Sequence, residues 1–406
     1  MPLLEAAANS DKEWGRVGDF FEVTRKPRNL PALANGTVPF VPMEAIPRNR
    51  YRDPAYEARS RERASGTYFE RGDLLVAKIT PSFENGKQAT TAGLEAPFGF
   101  ATTEVIPLRP ISPDDTDPRL LFFYLLHPEV RRFAGDRMEG TTGRQRISEQ
   151  VLLDLPYPDL DPDRQRRIAE LLVEVHSSID VEEQAERVAV ALRRVLHREL
   201  LGDTRPGELP DGWIEEELGA RCSVSSGGTP ARSVDAYWTG GSIPWVKTAE
   251  VNYGVITETE EHITEQGLKN SAAKRLPPDT LLLAMYGQGV TRGRVAMLGV
   301  EAASNQACAA IQTDAEVLLP RFLFHYLEAR YEFIRSRAHG GQQQNLNLDL
   351  VRSLPIAYPA DLEEQRRIAS ALDVVGEIAD LHAQKKRTLG NLFVSLLHGF
   401  LGGELQ

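Results

Sequence analysis

The chain has 406 residues, a formal net charge of −11, an apolar fraction of 41% and two cysteines, Cys222 and Cys308. This length calls for two or more domains, and two cysteines supply neither a disulfide framework nor a four-cysteine zinc site, so a reducing compartment is expected. No apolar run approaches the ~18 residues that a membrane span needs, and the acid excess argues mildly against binding nucleic acid without assistance.

The opening "MPLLEAAANSDKEWG" has no basic start and no sustained apolar stretch, so the expectation is a cytoplasmic protein. Residues 1–156 read as a mixed domain of short Val/Ile/Leu runs, many Gly and Pro, and an amphipathic helix near the end, "PRLLFFYLLHPEVRRF" (118–133). Basic and acidic residues nearly balance over 1–155, at 21 against 22, whereas 156–204 carries 7 against 11, so the acidity is uneven and basic patches are possible elsewhere. Residues 157–204 read as one long helix, which Asp161 caps with Pro162 at its first position and which stops near Gly202.

The chain then repeats itself. "DRQRRIAELL" (163–172) returns as "EEQRRIASAL" (363–372), and "PRLLFFYLLHPEVRRF" as "PRFLFHYLEARYEFIR" (320–335). "LDLPYPDLD" returns as "RSLPIAYPADLE", "VLHRELLGD" (195–203) as "LLHGFLGGE" (396–404), "RGDLLVAKI" (71–79) as "PPDTLLLAM", and "VPFVPMEAI" as "IPWVKTAEV", all in the same order. The simplest reading is one unit of about 200 residues, duplicated, with a second mixed domain at 205–355 and a second long helix at 356–406, where Asp361 and Glu364 have capping-box spacing.

In each helix the apolar positions step by four and three, which asks for a partner helix. The stripe runs through Ile368, Leu372, His382 and Lys386 in the second copy and Ile168, Leu172, Glu182 and Glu186 in the first, turning polar in the middle of both. An antiparallel pairing sets Glu182 by Lys386 and Glu186 by His382. A parallel one sets Glu182 by His382 and Glu186 by Lys386, so charge does not choose, but connectivity favours antiparallel. The expected fold class is therefore α+β: two tandem mixed α/β domains, separated and followed by long helices that form an antiparallel coiled coil with a pseudo-two-fold axis. About 36 paired residues span roughly 54 Å at ~1.5 Å per residue. The competing reading is that each helix packs only on its own domain.

A pseudo-two-fold object with two heads at a fixed separation suits a ligand with two half-sites, and duplex DNA is the obvious one. At this point the sequence resembles a family. "SSGGTPARSVDAYWTGGSIPWVKTAEV" (225–251), "LLLAMYGQGVTRGRVAMLG" (281–299), "SNQACAAI" (304–311) and the "EQRRIA" opening of the helix are similar to the specificity (S) subunit of type I restriction–modification systems. The likeness covers essentially the whole chain and is weaker over 1–150, where "VTRKPRNLPALANGTVPFVPMEAIP" replaces the Gly-Gly-Thr-Pro stretch. It implies two target-recognition domains that each read one half of a split double-stranded DNA target, with no catalysis of their own. Two adenine-methylating modification subunits would pack on the helices, and restriction/translocation subunits would join them. No cofactor is implied in this chain. S-adenosylmethionine, ATP and Mg belong to the partner subunits, and no membrane is involved.

The residues offer candidates for the contacts. Arg48, Arg50, Arg52, Arg59, Arg61, Arg63 and Arg71 crowd one stretch, partly offset by acids; arginine suits guanine edges and phosphate, and the alternative is a solvated charged surface. "YGQGVTRGR" (286–294) is a Gly-rich loop offering Gln288, Thr291, Arg292 and Arg294, though it also reads as an ordinary hairpin turn; it lacks the terminal Gly-Lys-Ser/Thr of a phosphate-binding loop. "HGGQQQNLNL" (339–348) offers Gln342, Gln343, Gln344 and Asn345, amides suited to adenine. Its first-copy counterpart "GTTGRQRI" (140–147) offers Thr141, Thr142, Arg144, Gln145 and Arg146. Lys247 follows a strand end, whereas Trp245, Phe40 and Tyr237 read as core. The eight histidines show no metal-ligand spacing, so no metal site is expected.

Two rivals stand against a DNA reader. An adenine methyltransferase needs an Asn/Asp-Pro-Pro-aromatic motif, which is absent, and a nuclease of the Asp…Glu-x-Lys type fails at "DLLVAK" (73–78). A coiled-coil scaffold that binds only proteins leaves the arginines and loop amides without a role.

Overall fold

The computed structural model describes residues 14–30, 36–62, 64–141, 143–202, 209–287, 290–337 and 345–402. The chain divides into two compact units: Met1–Ala185 with Leu381–Gln406, and Glu186–Asp380.

In the first unit β1 (Trp14–Arg16), α1 (Val17–Phe20) and β2 (Phe21–Val23) lead into β3 (Thr37–Val41), β4 (Glu57–Ser60), β5 (Thr67–Glu70), β6 (Leu74–Ala77), β7 (Gln88–Thr90), β8 (Phe98–Ala101) and β9 (Val105–Pro110). Helices α2 (Pro118–Leu126) and α3 (Pro128–Gly135), strands β10 (Glu139–Thr141) and β11 (Arg144–Arg146), α4 (Glu149–Leu153) and β12 (Pro156–Pro158) follow, then the long α5 (Pro162–Leu201). The strands form sheets of order β2-β9-β6-β7 and β4-β3-β8-β5. "LLVA" of β6 is apolar at all four positions because it is buried throughout and flanked on both sides, Leu74 pairing with Thr90 and with Leu108.

The second unit repeats this plan. It holds β13 (Trp213–Glu217), α6 (Leu218–Arg221), β14 (Cys222–Ser226), β15 (Ile243–Val246), β16 (Val255–Ile256), β17 (Glu261–Ile263), α7 (Glu265–Lys269), β18 (Leu281–Ala284), β19 (Val295–Leu298), β20 (Ala303–Ser304) and β21 (Cys308–Thr313). Then come α8 (Pro320–Ala329), α9 (Tyr331–Ser336), α10 (Leu348–Arg352), β22 (Pro355–Pro359) and the second long helix, α11 (Leu362–Gly402). The sheets are β14-β21-β18-β19-β16 and β17-β15-β20, and β15 runs parallel to β20 as β3 does to β8. The repeat read in the sequence is thus a repeat of topology.

The repeated "QRRIA" has a structural cause. Gln165, 4% exposed, accepts the N–H of Asp117 at 2.9 Å and donates to the carbonyls of Leu160 at 2.7 Å and Asp115 at 3.1 Å. Gln365 is fully buried; it accepts the N–H of Leu319 at 2.8 Å and donates to the carbonyls of Pro359 at 2.8 Å and Val317 at 2.9 Å. One amide therefore satisfies three backbone groups and fixes the start of each long helix to the entrance of the amphipathic helix, α2 or α8. Asp161 caps α5 by accepting from Arg164 N–H at 2.9 Å. Asp361 accepts from Glu363 N–H at 3.0 Å, while Glu364 pairs with Arg367 instead of closing a capping box.

Each long helix begins in one unit and ends in the other. Inside the first unit the start of α5 meets the end of α11: Ile168, Leu172, Leu397 and Phe400 share one core cluster, and the His176 and Phe393 rings lie 5.4 Å apart. Glu182 bonds His382 and stands 3.9 Å from Lys385. Going from His176 to Glu182 on α5 moves from Phe393 back toward His382 on α11, so the two segments run antiparallel. Glu182 thus meets His382, the neighbour expected of a parallel pairing, and Lys385, the residue before the Lys386 expected of the antiparallel one. Inside the second unit Ile368, Ala369 and Leu372 share a core cluster with Leu201, and Leu196 and Leu200 pack against it.

His127 caps α3 by accepting Glu129 N–H on Nδ1 at 3.2 Å, and its Nε2 lies 3.2 Å from His398 Nδ1. Burial, followed by the neighbouring His398, pushes the His127 pKa down to about 4. The folded protein therefore keeps His127 neutral where the unfolded chain, at about 6.5, takes up a proton. Stability should fall as pH drops from about 6.5 toward 4, and His127→Gln should flatten that part of the curve in pH-dependent urea denaturation. Separately, Gln365→Leu orphans one N–H and two carbonyls at about 1–3 kcal/mol each, so at least ~3 kcal/mol of urea stability should be lost. Gln150→Ala, on an exposed face, should change stability by less than ~0.5 kcal/mol.

Candidate nucleic-acid interface

In both units the loop after the central strand and the segment after the paired helices are joined at the same point. Ile147 N–H donates to Lys78 O at 2.8 Å, and Leu346 N–H donates to Met285 O at 3.1 Å. Lys78 and Met285 directly follow β6 and β18, so the two bonds occupy equivalent positions in the repeat. Stretches read separately in the sequence thus meet: 140–147 lies on the 78–80 strand end, and 345–346 lies at the base of the 286–294 loop.

In the first unit this edge carries the β10–β11 hairpin, whose Thr141 and Arg144 are exposed and whose Gln145 is half-buried. Gly140 makes the tight pairing possible: its φ is +131°, and a Cβ there would stand 2.7 Å from the carbonyl oxygen of Arg144. Gln145 O accepts from Thr80 N–H at 2.9 Å, which leaves the Gln145 amide side chain unused by the backbone pairing. Arg146 makes a two-pronged bond to Glu104 at 2.7 and 2.8 Å, and the Glu104 carboxylate is held below its usual range chiefly by that bond. Thr142 lies outside the described residues.

In the second unit the 286–294 loop exposes Tyr286 and Val290 and half-buries Thr291, Arg292 and Arg294. Arg294 donates to Asn252 Oδ1 and lies 5.5 Å from the Tyr253 ring centre. Tyr331 donates its hydroxyl to Val290 O at 2.7 Å and accepts from Arg335 at 2.7 Å, so α9 props the loop. Gly287 has a φ of +143°, and a Cβ there would crowd Thr291 at 2.9 Å. Asn345 is exposed beside this loop. Gln288, Gln342, Gln343 and Gln344 lie outside the described residues.

The arginine-rich stretch is not one patch. Arg50 pairs with Asp180 at 2.9 Å and with Glu183 on α5, so it ties the domain to its helix. Arg59 pairs with Glu57 at 3.0 Å and covers the Phe40 ring at 3.2 Å, and Arg61 donates to Leu30 O at 3.3 Å. Arg71 donates to Glu95 O. Arg48 and Arg52 are exposed, and Arg63 lies outside the described residues. Lys247 is held by Glu260 and by Glu261 at 3.3 Å, the bond to Glu260 being the main cause that raises its pKa. Phe40 and Trp245 are buried, as read from the sequence, and Tyr237 is half-buried. Sequence reasoning missed Lys78 and the Tyr331 prop. Their signal lies in adjacency to the strand end and to the loop, which only the fold reveals.

Comparison with known proteins fits this arrangement. Residues 210–391 match the family model of the type I restriction modification DNA specificity domain. The type I restriction enzyme EcoR124I/EcoR124II specificity subunit of Escherichia coli is 26% identical over 293 residues, 70% of each chain. The type I restriction enzyme MjaIX specificity subunit of Methanocaldococcus jannaschii is 24% identical over 199 residues, 48% of this chain and 45% of that one. A crystal structure of a type I restriction–modification S subunit from M. genitalium shares the fold with a TM-score of 0.63 over 96% of both chains at 14% identity. Among the described residues no helix is long and apolar enough to cross a membrane. The domain that the family model describes falls in the second copy of a plan this chain carries twice, and the chain is similar to the specificity subunits of type I restriction–modification systems.

Proposed function

We propose that this chain reads DNA for a type I restriction–modification enzyme, each globular domain contacting one half of a bipartite target and the long helices setting the distance between halves. The observation that carries this reading is the equivalent loop junction in both units, Ile147 on Lys78 and Leu346 on Met285, around which exposed and half-buried polar side chains gather. The proposed reading residues are Thr141, Arg144 and Gln145 in the first unit and Thr291, Arg292, Arg294 and Asn345 in the second. Arg48 and Arg52 are proposed as phosphate contacts. Arg50, Arg59 and Lys247, whose charges are met within the protein, are proposed to support the fold.

A helix of 40 residues such as α5 is about 60 Å long, between one and two turns of duplex DNA at ~34–36 Å each. Modification subunits are proposed to dock on the helices, which keep large apolar side chains exposed: Leu171, Val181, Leu381 and Leu392 in the first unit, Val188, Leu192, Val374 and Ile378 in the second. On this reading the methyl donor, ATP and Mg²⁺ act in the partner subunits, restriction subunits join the same assembly, and this chain neither cuts nor methylates.

Methylome sequencing of the host with and without the gene is the direct test. Loss of one bipartite motif is expected; an unchanged methylome, or cleavage by the purified chain alone, overturns the reading. Arg292→Ala with Arg294→Ala should weaken binding at the second half-site only, by about 1–3 kcal/mol per lost bidentate contact in competition assays with half-site mutants. Arg144→Ala should act on the first half-site alone, and Arg50→Ala should lower thermal stability while leaving sequence preference unchanged. Seven residues added to both long helices at their midpoints should lengthen the non-specific spacer and leave both half-sites as they were.

A further inference from the structure

The second unit contains a polar cluster that DNA reading does not use. His197 near the end of α5, His325 and Glu328 one turn apart on α8, and Asp373 on α11 converge. The ligand atoms of His197, His325 and Glu328 all lie within 4.8 Å of one another. Glu328 Oε2 is 3.6 Å from His325 Nδ1 and 3.8 Å from His197 Nε2. Three ligands at about 2.1 Å around a tetrahedral ion stand roughly 3.4 Å apart, so the two measured separations need only a small contraction.

The hydrogen-bond pattern points the same way. His325 Nε2 lies 2.7 Å from Asp373 Oδ1, and a carboxylate only accepts, so that nitrogen carries the hydrogen. The other ring nitrogen, Nδ1, then faces Glu328. His325 is 1% exposed, and both its Nδ1 and His197 Nε2 are buried without a hydrogen-bond partner among the described residues. Two imidazole nitrogens and a carboxylate oxygen thus converge. Arg193 takes one position on Glu328 Oε2 at 2.7 Å, and a carboxylate has about four, so a ligating oxygen remains.

The fold does not demand this polarity. In the aligned repeat the first unit has Phe123 where the second has His325, Leu126 for Glu328 and Val173 for Asp373. Phe123 is fully buried and Leu126 nearly so, within one apolar cluster. His398, the counterpart of His197, turns to His127 instead. The same scaffold packs with carbon in one copy and with metal-type donors in the other.

We propose that His197, His325 and Glu328 bind a zinc-like divalent transition-metal ion, with Asp373 orienting His325 from behind and water completing the coordination. Two imidazoles and a carboxylate match the ligand preferences of zinc, and a carboxylate behind a ligating histidine is a common arrangement. The ion ties the end of α5 to α8. From there α9 carries Tyr331 to the carbonyl of Val290, so the tie steadies the loop proposed to read DNA.

The test uses the full chain, free of any affinity tag and stripped with chelator, titrated with ZnCl₂ by calorimetry and with CoCl₂ by visible absorption. One ion per chain is expected, with the intense bands of four-coordinate cobalt and a zinc-dependent rise in Tm. His325→Phe, the residue of the first unit, and Glu328→Gln, which keeps a bond to Arg193, should each lower affinity by roughly a hundredfold or more. Asp373→Asn should lower it by about 10–100-fold. His197→Gln, at a partly exposed position, serves as the ligand variant least disturbing to folding and should abolish the cobalt spectrum. Stoichiometric binding absent at micromolar zinc, or retained equally by His197→Gln and Glu328→Gln, overturns the proposal and leaves a metal-free ion-pair network. Neither result depends on whether the chain reads DNA.

Discussion

The architecture rests on a buried glutamine amide used twice. Gln165 and Gln365 each bond three backbone groups that would otherwise be unpaired: the N–H at the entrance of the amphipathic helix, a carbonyl of the loop before it, and a carbonyl just before the long helix. No shorter side chain reaches all three, and an apolar one leaves them orphaned in a dry environment. The amide fixes the angle at which each long helix leaves its domain. Once that angle is set, the helix is committed to the partner it meets within each unit.

That partner is the opposite end of the other long helix. In the first unit the start of α5 and the end of α11 bury Ile168, Leu172, Leu397 and Phe400 in one cluster, with Glu182 answered by His382 and Lys385. The second unit mirrors this with Ile368 and Leu372 against the end of α5. Apolar residues supply the packing, and the polar middle limits register, because sliding one helix by a turn removes Glu182 from His382 and Lys385. The faces left exposed stay rich in Val, Leu and Ile, which is uncommon for a helix meant to remain in water.

The candidate interface was legible in part. The stretches 140–147, 286–294 and 339–348 stood out because Gly, amide and Arg residues cluster there between regular elements. The described parts of these stretches do converge on the ends of β6 and β18. The arginines of 48–71 stood out equally, yet Arg50, Arg59, Arg61 and Arg71 are taken up by Asp180, Glu57 and backbone carbonyls. A positive charge reads the same in sequence whether it faces solvent or an acid more than a hundred residues away. The histidines illustrate the converse: His197 and His325 are too distant in sequence to suggest a pair, and only the packing of α5 on α8 brings them together.

The sequence by itself determined the duplication, the two mixed domains, the two long helices with their Asp161 and Asp361 caps, and the apolar stripes that demand a partner. These follow from periodicity and from repeated words, both local properties of the chain. Connectivity favoured the antiparallel pairing, and tertiary structure alone decided its register, which sets Glu182 against His382 and Lys385. It also decided which cations are spent internally and which polar atoms are brought face to face. Those outcomes depend on contacts between residues far apart in the chain, and each is fixed by a few buried bonds, such as those of Gln165 and Gln365, whose partners a linear pattern does not reveal.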